Sequence, residues 1–332
     1  MSSTIPISIA LPIHNGAIYL REALNSIQSQ TFADFEVVIS DNASTDETPE
    51  ICREYAQRDS RIKVKRTEQF LQVAENVNRA VDRCSGQWVK LFCGDDIMAP
   101  ECLATIERVI STCEPLVGLI GNGEQWQFIN GYCHRNAYNP DQLEKWNGRD
   151  YLRAQLTTSR SHQLPPLPAV TTATMRKCAW LESGRFQSIF LHFDTFLWAQ
   201  MLINWDYIYV PEVLTTNRIH GSQVAVSARH SLRSVRENRI FWPQFVQQHG
   251  TNLGLGAWSR FLLRNRWLGT AGAAVALKLL CGDSAGATKT FFAMPPTCWP
   301  YLPVFIIRSY LFEQRKIESL AAHVPPSVIY PG

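Results

Sequence analysis

Phe35-Glu36-Val37-Val38-Ile39-Ser40-Asp41-Asn42-Ala43-Ser44-Thr45-Asp46 is the stretch that decides the fold. Phe35 to Ser40 is short, apolar and β-branched, which reads as a buried strand. The chain then turns abruptly polar at Asp41. Ser44 and Glu47 stand at capping-box spacing, and Pro49 falls in the first turn of a helix expected to run to about Arg58. The same alternation recurs on both sides. Ile5 to Leu11 reads as a strand, and Gly16 to Gln30 as a helix with Leu20, Ala23, Leu24 and Ile27 on one face. Arg61 to Lys65 and Trp88 to Phe92 read as further strands, with a helix over Val73 to Cys84 between them and another opening at Pro100. Strand–helix units of this length predict a mostly parallel sheet flanked by helices, with right-handed crossovers.

The remainder is less regular. Leu116 to Ile120 and Trp126 to Ile129 are short strand candidates, and the segment from Leu164 to Pro168 is a proline-rich loop. Asp194 to Asn204 reads as a helix, followed by strands at Tyr207 to Val210 and Val213 to Thr216. From about Ser227 the pattern turns helical, over Leu232 to Gln248, Ala257 to Leu280 and Ser284 to Ala293. The expected organisation is one α/β domain over 1–226, divided into halves 1–115 and 116–226, with a helical C-terminal appendage over 227–332.

Composition bounds the function. Of the 332 residues 45% are apolar and 18% charged, enough for a sizeable core and against wholesale disorder. A net charge of +3 is too weak to argue for nucleic acid. The nine cysteines are odd in number and contain no C-x-x-C pair, which reads as free thiols in a reducing compartment. No secretory leader opens the sequence, and the long uncharged run between Lys289 and Arg308 is broken by Pro295, Pro296, Pro300 and Pro303. The expectation is a cytoplasmic protein without a spanning helix. The aromatic and basic residues of the C-terminal part, such as Trp258, Trp267, Arg264 and Arg266, leave open a peripheral contact at the inner membrane face or a homodimer.

Three polar clusters follow predicted strands: Pro12-Ile13-His14-Asn15, Asp41 to Asp46, and Gly94-Asp95-Asp96. Each alone could be an ordinary turn or helix cap. Ligands of open α/β sheets bind at the carboxyl ends of strands, so three such clusters point to one crevice. The adjacent carboxylates of Asp95 and Asp96 repel each other, and a hard divalent cation shared with substrate phosphates resolves that. No G-x-G-x-x-G or G-x-x-x-x-G-K-[ST] is present, which argues against nicotinamide enzymes and P-loop NTPases.

In this order the motifs resemble glycosyltransferase family 2. The Pro-x-x-Asn turn is matched by Pro12 to Asn15, the Asp-(Asp/Asn)-x-Ser-x-Asp turn by Asp41 to Asp46, and the Asn-x-Asn segment by Asn76-Val77-Asn78. The metal-binding Asp-x-Asp motif is matched by Cys93-Gly94-Asp95, with Cys93 where the family has its first acid. Downstream, Phe193-Asp194-Thr195-Phe196-Leu197-Trp198 resembles the family's acidic helix start, with Phe193 and Phe196 in place of the flanking acids, and Arg218-Ile219-His220 resembles its Arg-x-His element.

The resemblance implies a GT-A type, Rossmann-like fold. It implies an inverting enzyme that moves a sugar from a nucleotide-diphosphate sugar, a UDP-sugar favoured, to a glycan or lipid-linked acceptor in cell-surface polysaccharide synthesis. Asp194 is then the catalytic base. Pro12, Ile13, Asn15, Asp41, Asn78, Asp95 and Arg218 bind the nucleotide sugar, and Asp95, Asp96 and His220 hold Mg²⁺ or Mn²⁺. His192 stands close enough in sequence to Asp194 to tune it. The alternative is a non-catalytic sugar-nucleotide-binding or scaffold protein.

Overall fold

The structure is a computed structural model that describes residues 6–128, 131–135, 138, 140–157, 164–187, 193–220, 232–257 and 259–260. The described chain forms two compact units. One takes in the residues up to Gln127 together with Cys133–Arg218; the other takes in Phe128–Tyr132 and the chain from Ile219 onward.

The first unit is an α/β sheet. Its strands are β1 (Ile7–Ile13), β2 (Phe35–Asp41), β3 (Ile62–Arg66), β4 (Trp88–Leu91), β5 (Ile97–Met98), β6 (Val117–Phe128), β7 (Cys133–Arg135), β8 (Glu144–Trp146), β9 (Ala173–Arg176) and β10 (Asp206–Ile219). Its helices are α1 (Ala17–Gln28), α2 (Thr48–Arg58), α3 (Val73–Arg83), α4 (Cys102–Thr112), α5 (Gly148–Thr157), α6 (Lys177–Glu182) and α7 (Phe193–Met201). The strand order is β3-β2-β1-β4-β9-β6-β10-β5, with β7 on β6 and β8 on β10. The first four strands pair in parallel, and β9 then runs antiparallel to β4 and to β6. The parallel block is the one the sequence predicts; its antiparallel extension carries no strand–helix alternation by which to read it.

β1 and β2 are buried over almost their whole length, as continuous apolar runs require. Ile7, Ile9, Leu11 and Ile13 of β1 join Val37 and Ile39 of β2 and the apolar faces of α1, α2 and α4 in one core. α3 packs on the same two strands outside that core. With both faces covered, only the strand ends are left for a ligand.

Three sequence expectations change. The strands expected on either side of Gly121-Asn122-Gly123 are one strand, β6. Its glycines are there for close approach: a Cβ on Gly123 would stand 2.6 Å from the Pro211 carbonyl oxygen, and one on Gly121 would collide with the Tyr207 hydroxyl. Likewise the two strands expected around Pro211 are the single β10. The capping box expected at Ser44 and Glu47 is not formed. Helix α2 starts at Thr48, and the Ser44 hydroxyl is taken by the backbone N–H of Asn15 at 3.0 Å. A capping box does open α3, between Gln72 and Glu75.

In the second unit, helix α8 (Leu232–His249) stacks Phe241 on Phe245, with His249 5.0 Å beyond Phe245. No helix among the described residues is long and apolar enough to cross a membrane. The helices expected beyond residue 260, with Arg264, Arg266 and Trp267, lie outside the described residues, as does Trp258.

Candidate active site

The carboxyl ends of β1 and β2 are stitched together by their own turns. Asn42 N–H donates to the Ile13 carbonyl at 2.8 Å, and Thr45 N–H donates to Asn15 Oδ1 at 2.8 Å. Asp46 accepts from Ala17 N–H at 3.1 Å and from Thr48 N–H at 3.0 Å, tying the starts of α1 and α2 to one carboxylate. Burial would raise its pKa, but the hydrogen bonds from Thr48 and Ala17 outweigh that and lower it. Asn15 reaches its place with φ of 49°, in the left-handed region that asparagine tolerates. Pro12 is half-buried, and Ile13 is buried.

Asp41 ends β2 with 1% exposure. Its Oδ1 accepts from Ser44 N–H at 3.1 Å, while its buried Oδ2 has no hydrogen-bond partner and lies 3.6 Å from Arg66 Nε. A buried acceptor left over at a strand end calls for a ligand N–H or O–H.

The acidic turn follows β4. Gly94 lies against Ile13, where a Cβ would come within 2.7 Å of Cδ1, so this turn and the end of β1 are packed together. Oxygen and sulfur atoms of Cys93, Asp95 and Asp96 lie within 4.8 Å of one another. Asp96 is 4% exposed, and Asp95 is half-buried. Burial, and then the charge of Asp95, raises the Asp96 carboxyl well above its ordinary range. Arg218 braces the turn from β10. Its backbone N–H donates to Asp96 Oδ1 at 3.1 Å, and its guanidinium donates to the Asp95 carbonyl, to Glu22 and, at 3.0 Å, to the Tyr19 carbonyl. That places the Arg218 side chain over the Tyr19 ring at 4.8 Å as a strap between β10 and α1.

Asp194 lies in the first turn of α7 and accepts from Thr195 N–H at 2.7 Å. Its charge reaches the acidic turn: burial pushes the Cys93 thiol well up, and Asp96, Asp95 and Asp194 push it the same way. The two phenylalanines that replace acids around Asp194 are packing residues. Phe193 and Phe196 are 7% and 4% exposed. Phe193 and Trp198 each meet the Phe186 ring edge-on, at 5.3 and 5.7 Å.

Asn78 belongs to this support. Its amide donates to the Phe186 carbonyl at 2.7 Å and accepts from the Phe186 N–H at 3.1 Å. The sequence reading has Asn78 touch the nucleotide sugar; in the structure its amide clamps the segment that α7 packs on. His220 is buried and belongs to the second unit. His192 lies outside the described residues.

Lys90 was not singled out from the sequence. It sits on β4 with no exposure, and its ammonium donates to Asn122 Oδ1 at 2.9 Å and to the Thr171 carbonyl at 2.7 Å. Burial brings its pKa down to about 8. A lysine inside an apolar strand is the signal that could have found it, since a buried ammonium persists only with partners.

The donor set suits a divalent cation. Two crowded carboxylates, one of them buried and reluctant to ionise beside the other, are what a bound dication stabilises.

A domain model described as Glycosyl transferase family 2 matches residues 8–123. O-antigen biosynthesis protein RfbC of Myxococcus xanthus is 32% identical over 157 residues, which are 46% of this chain and 12% of that protein. The GalNAc(5)-diNAcBac-PP-undecaprenol beta-1,3-glucosyltransferase of Campylobacter jejuni is 32% identical over 101 residues, 30% of this chain and 33% of that protein. The matches thus span a third or less of these relatives' own length. Among solved structures, TarS 1-349 of S. aureus in complex with UDP-GlcNAc superposes with a TM-score of 0.56 at 17% identity, covering 96% of this chain and 91% of that one. The mannosyltransferase PcManGT of Pyrobaculum calidifontis, in complex with GDP-Man and Mn2+, gives 0.56 at 18% identity, covering 93% and 87%. At these identities the likeness is one of fold, the GT-A arrangement expected from the sequence.

Proposed function

We propose, for a chain whose residues 8–123 belong to glycosyl transferase family 2, that it moves a sugar from a nucleoside diphosphate sugar to a hydroxyl of a glycan or lipid-linked acceptor, with inversion, in cell-surface polysaccharide synthesis. One observation carries the reading. Cys93, Asp95 and Asp96 gather their ligand atoms within 4.8 Å of one another in the turn after β4, packed against the end of β1.

Each residue has a task in the transfer. Asp41 Oδ2 accepts a ring N–H of the base, which favours a uridine nucleotide, and the backbone of Pro12 to Asn15 flanks base and ribose. Asp95, with Asp96, would hold Mg²⁺ or Mn²⁺, which when bound would supply positive charge against the departing diphosphate. Asp194 takes the acceptor's proton as the acceptor oxygen bonds to the anomeric carbon. The anomeric carbon–phosphate oxygen bond breaks, and its electron pair leaves with the nucleoside diphosphate through an oxocarbenium-like transition state. One base and no enzyme nucleophile give inversion. Arg218 keeps the Asp95–Asp96 turn in place through its strap to α1, and Asn78 does the same for α7 through Phe186.

The test is release of nucleoside diphosphate in the presence of Mn²⁺ by the wild type, Asp95→Asn and Asp194→Asn, with the anomeric configuration of the product read by NMR. Loss of turnover in both variants and an inverted product are expected. Unchanged turnover in either variant, or retained configuration, overturns the assignment.

A further inference from the structure

Phe70, in the loop between β3 and α3, is a large aromatic side chain 58% exposed. It is not loosely held. The Asn42 side chain, 3% exposed, grips the next residue from both sides, donating to the Leu71 carbonyl at 2.9 Å and accepting from Leu71 N–H at 2.8 Å. The other end of the loop is pinned where Thr67 N–H donates to the Asp41 carbonyl at 2.9 Å. The loop is therefore anchored at both ends on Asp41 and Asn42, the residues that end β2. The ring itself meets His14 edge-on, with centroids 4.8 Å apart at 66°. His14 is fixed in turn by its Nδ1–H, which donates to the Asn42 carbonyl at 2.8 Å. An edge-on contact uses one ring's edge and leaves an aromatic face open to solvent.

A braced ring left in water gains nothing from burial until something covers it. The neighbouring group able to take a ligand's N–H is Asp41 Oδ2, buried and without a hydrogen bond, its ion-pair partner Arg66 Nε standing 3.6 Å away. A planar heteroaromatic ring answers both demands, offering an N–H at its edge and a π-face to the phenyl ring. We propose that Phe70 is a specificity residue that stacks on the base of the nucleoside diphosphate, with His14 holding its ring and Asp41 reading the base edge. The inference rests on the nucleotide-sugar reading above and names which base-binding surface this chain uses.

Isothermal titration tests it, with UDP, GDP and pyrophosphate titrated into wild type, Phe70→Ala and Phe70→Tyr in the presence of Mn²⁺. Stacking of this kind gives about a tenfold loss of affinity for the better-binding nucleotide in Phe70→Ala. Phe70→Tyr restores it, pyrophosphate affinity is the same in all three proteins, and the melting temperature is unchanged. Equal nucleotide affinity in wild type and Phe70→Ala overturns the role of Phe70 alone. A parallel loss of pyrophosphate affinity overturns it too, because the loop would then shape the site as a whole. Absence of nucleotide binding by the wild type overturns this inference together with the function it rests on.

Discussion

Glu36 and Asp41 lie on the same strand, each with 1% exposure, and their oxygens are met very differently. Glu36, near the start of β2, accepts from the Ser8 hydroxyl at 2.6 Å, the Lys63 ammonium at 2.6 Å, and the hydroxyl and N–H of Ser85 at 2.6 and 2.5 Å. Burial alone would raise its pKa, but these donors bring it down to about 2. Asp41, at the other end, has one oxygen met by its own turn and one met by no hydrogen bond. The amino-terminal edge of the parallel strands is a finished polar structure. The carboxyl-terminal edge keeps a buried acceptor that no hydrogen bond of the protein meets. Substitutions at the first edge should therefore cost stability, and those at the second should cost function.

The largest effect should come at the functional edge. Asp194→Asn should lower turnover by about 10²–10⁴-fold, the usual share of a general base, with no loss in melting temperature. A variant that unfolds earlier instead would place Asp194 among the structural residues and break the contrast. Glu36→Ala should do the opposite. It leaves the buried Ser8 hydroxyl without its acceptor and should cost about 1–3 kcal/mol in denaturant unfolding, with turnover per folded molecule unchanged.

The pH dependence sharpens the same point. The Glu36 carboxyl has a lower pKa folded than unfolded, so its contribution is fully present above pH 4.5 and fades as the pH falls toward 2. Wild type should lose up to about 3 kcal/mol across that window, and Glu36→Gln should lose much less.

Asp41→Asn keeps the shape and turns an acceptor into a donor. It should weaken nucleoside diphosphate binding about tenfold, read by calorimetry, with little change in stability. The smallest effect is at Asp96. Its folded pKa is raised by burial and by Asp95, so its stabilising state is the protonated one, lost as the pH rises. Asp96→Asn keeps the acceptor for Arg218 N–H and removes the charge, and in metal-free buffer at neutral pH it should raise the melting temperature by about 2–4 °C. A fall would show that Asp95 and Asp96 do not strain each other.

How much of this could be read in advance depended on sequence distance. The ends of β1, β2 and β4 were legible because each is an apolar run that stops at a polar turn, a pattern contained within a dozen residues. Ser44 was misread because its spacing to Glu47 is local, whereas its partner, the Asn15 backbone, belongs to another turn. Lys90 was invisible for the same reason, since Asn122 and Thr171, which make its burial tolerable, come from the antiparallel half. The bond of the Asn78 amide to Phe186 was equally out of reach, since the two lie 108 residues apart. Gly121 and Gly123 looked like a strand break and mark instead where β10 crosses close by.

The Arg218 strap also has a consequence in time. The guanidinium that holds the Asp95 carbonyl is attached to Tyr19 and Glu22 across 199 and 196 residues of chain. At ordinary rates of translation, roughly ten to forty seconds separate the emergence of the two partners from the ribosome. A nascent chain can complete its parallel block well before the brace on the acidic turn has been synthesised. Fragments that stop short of β10 would hold the polar turns at the ends of β1, β2 and β4 and still lack the part that sets the Asp95–Asp96 turn in place.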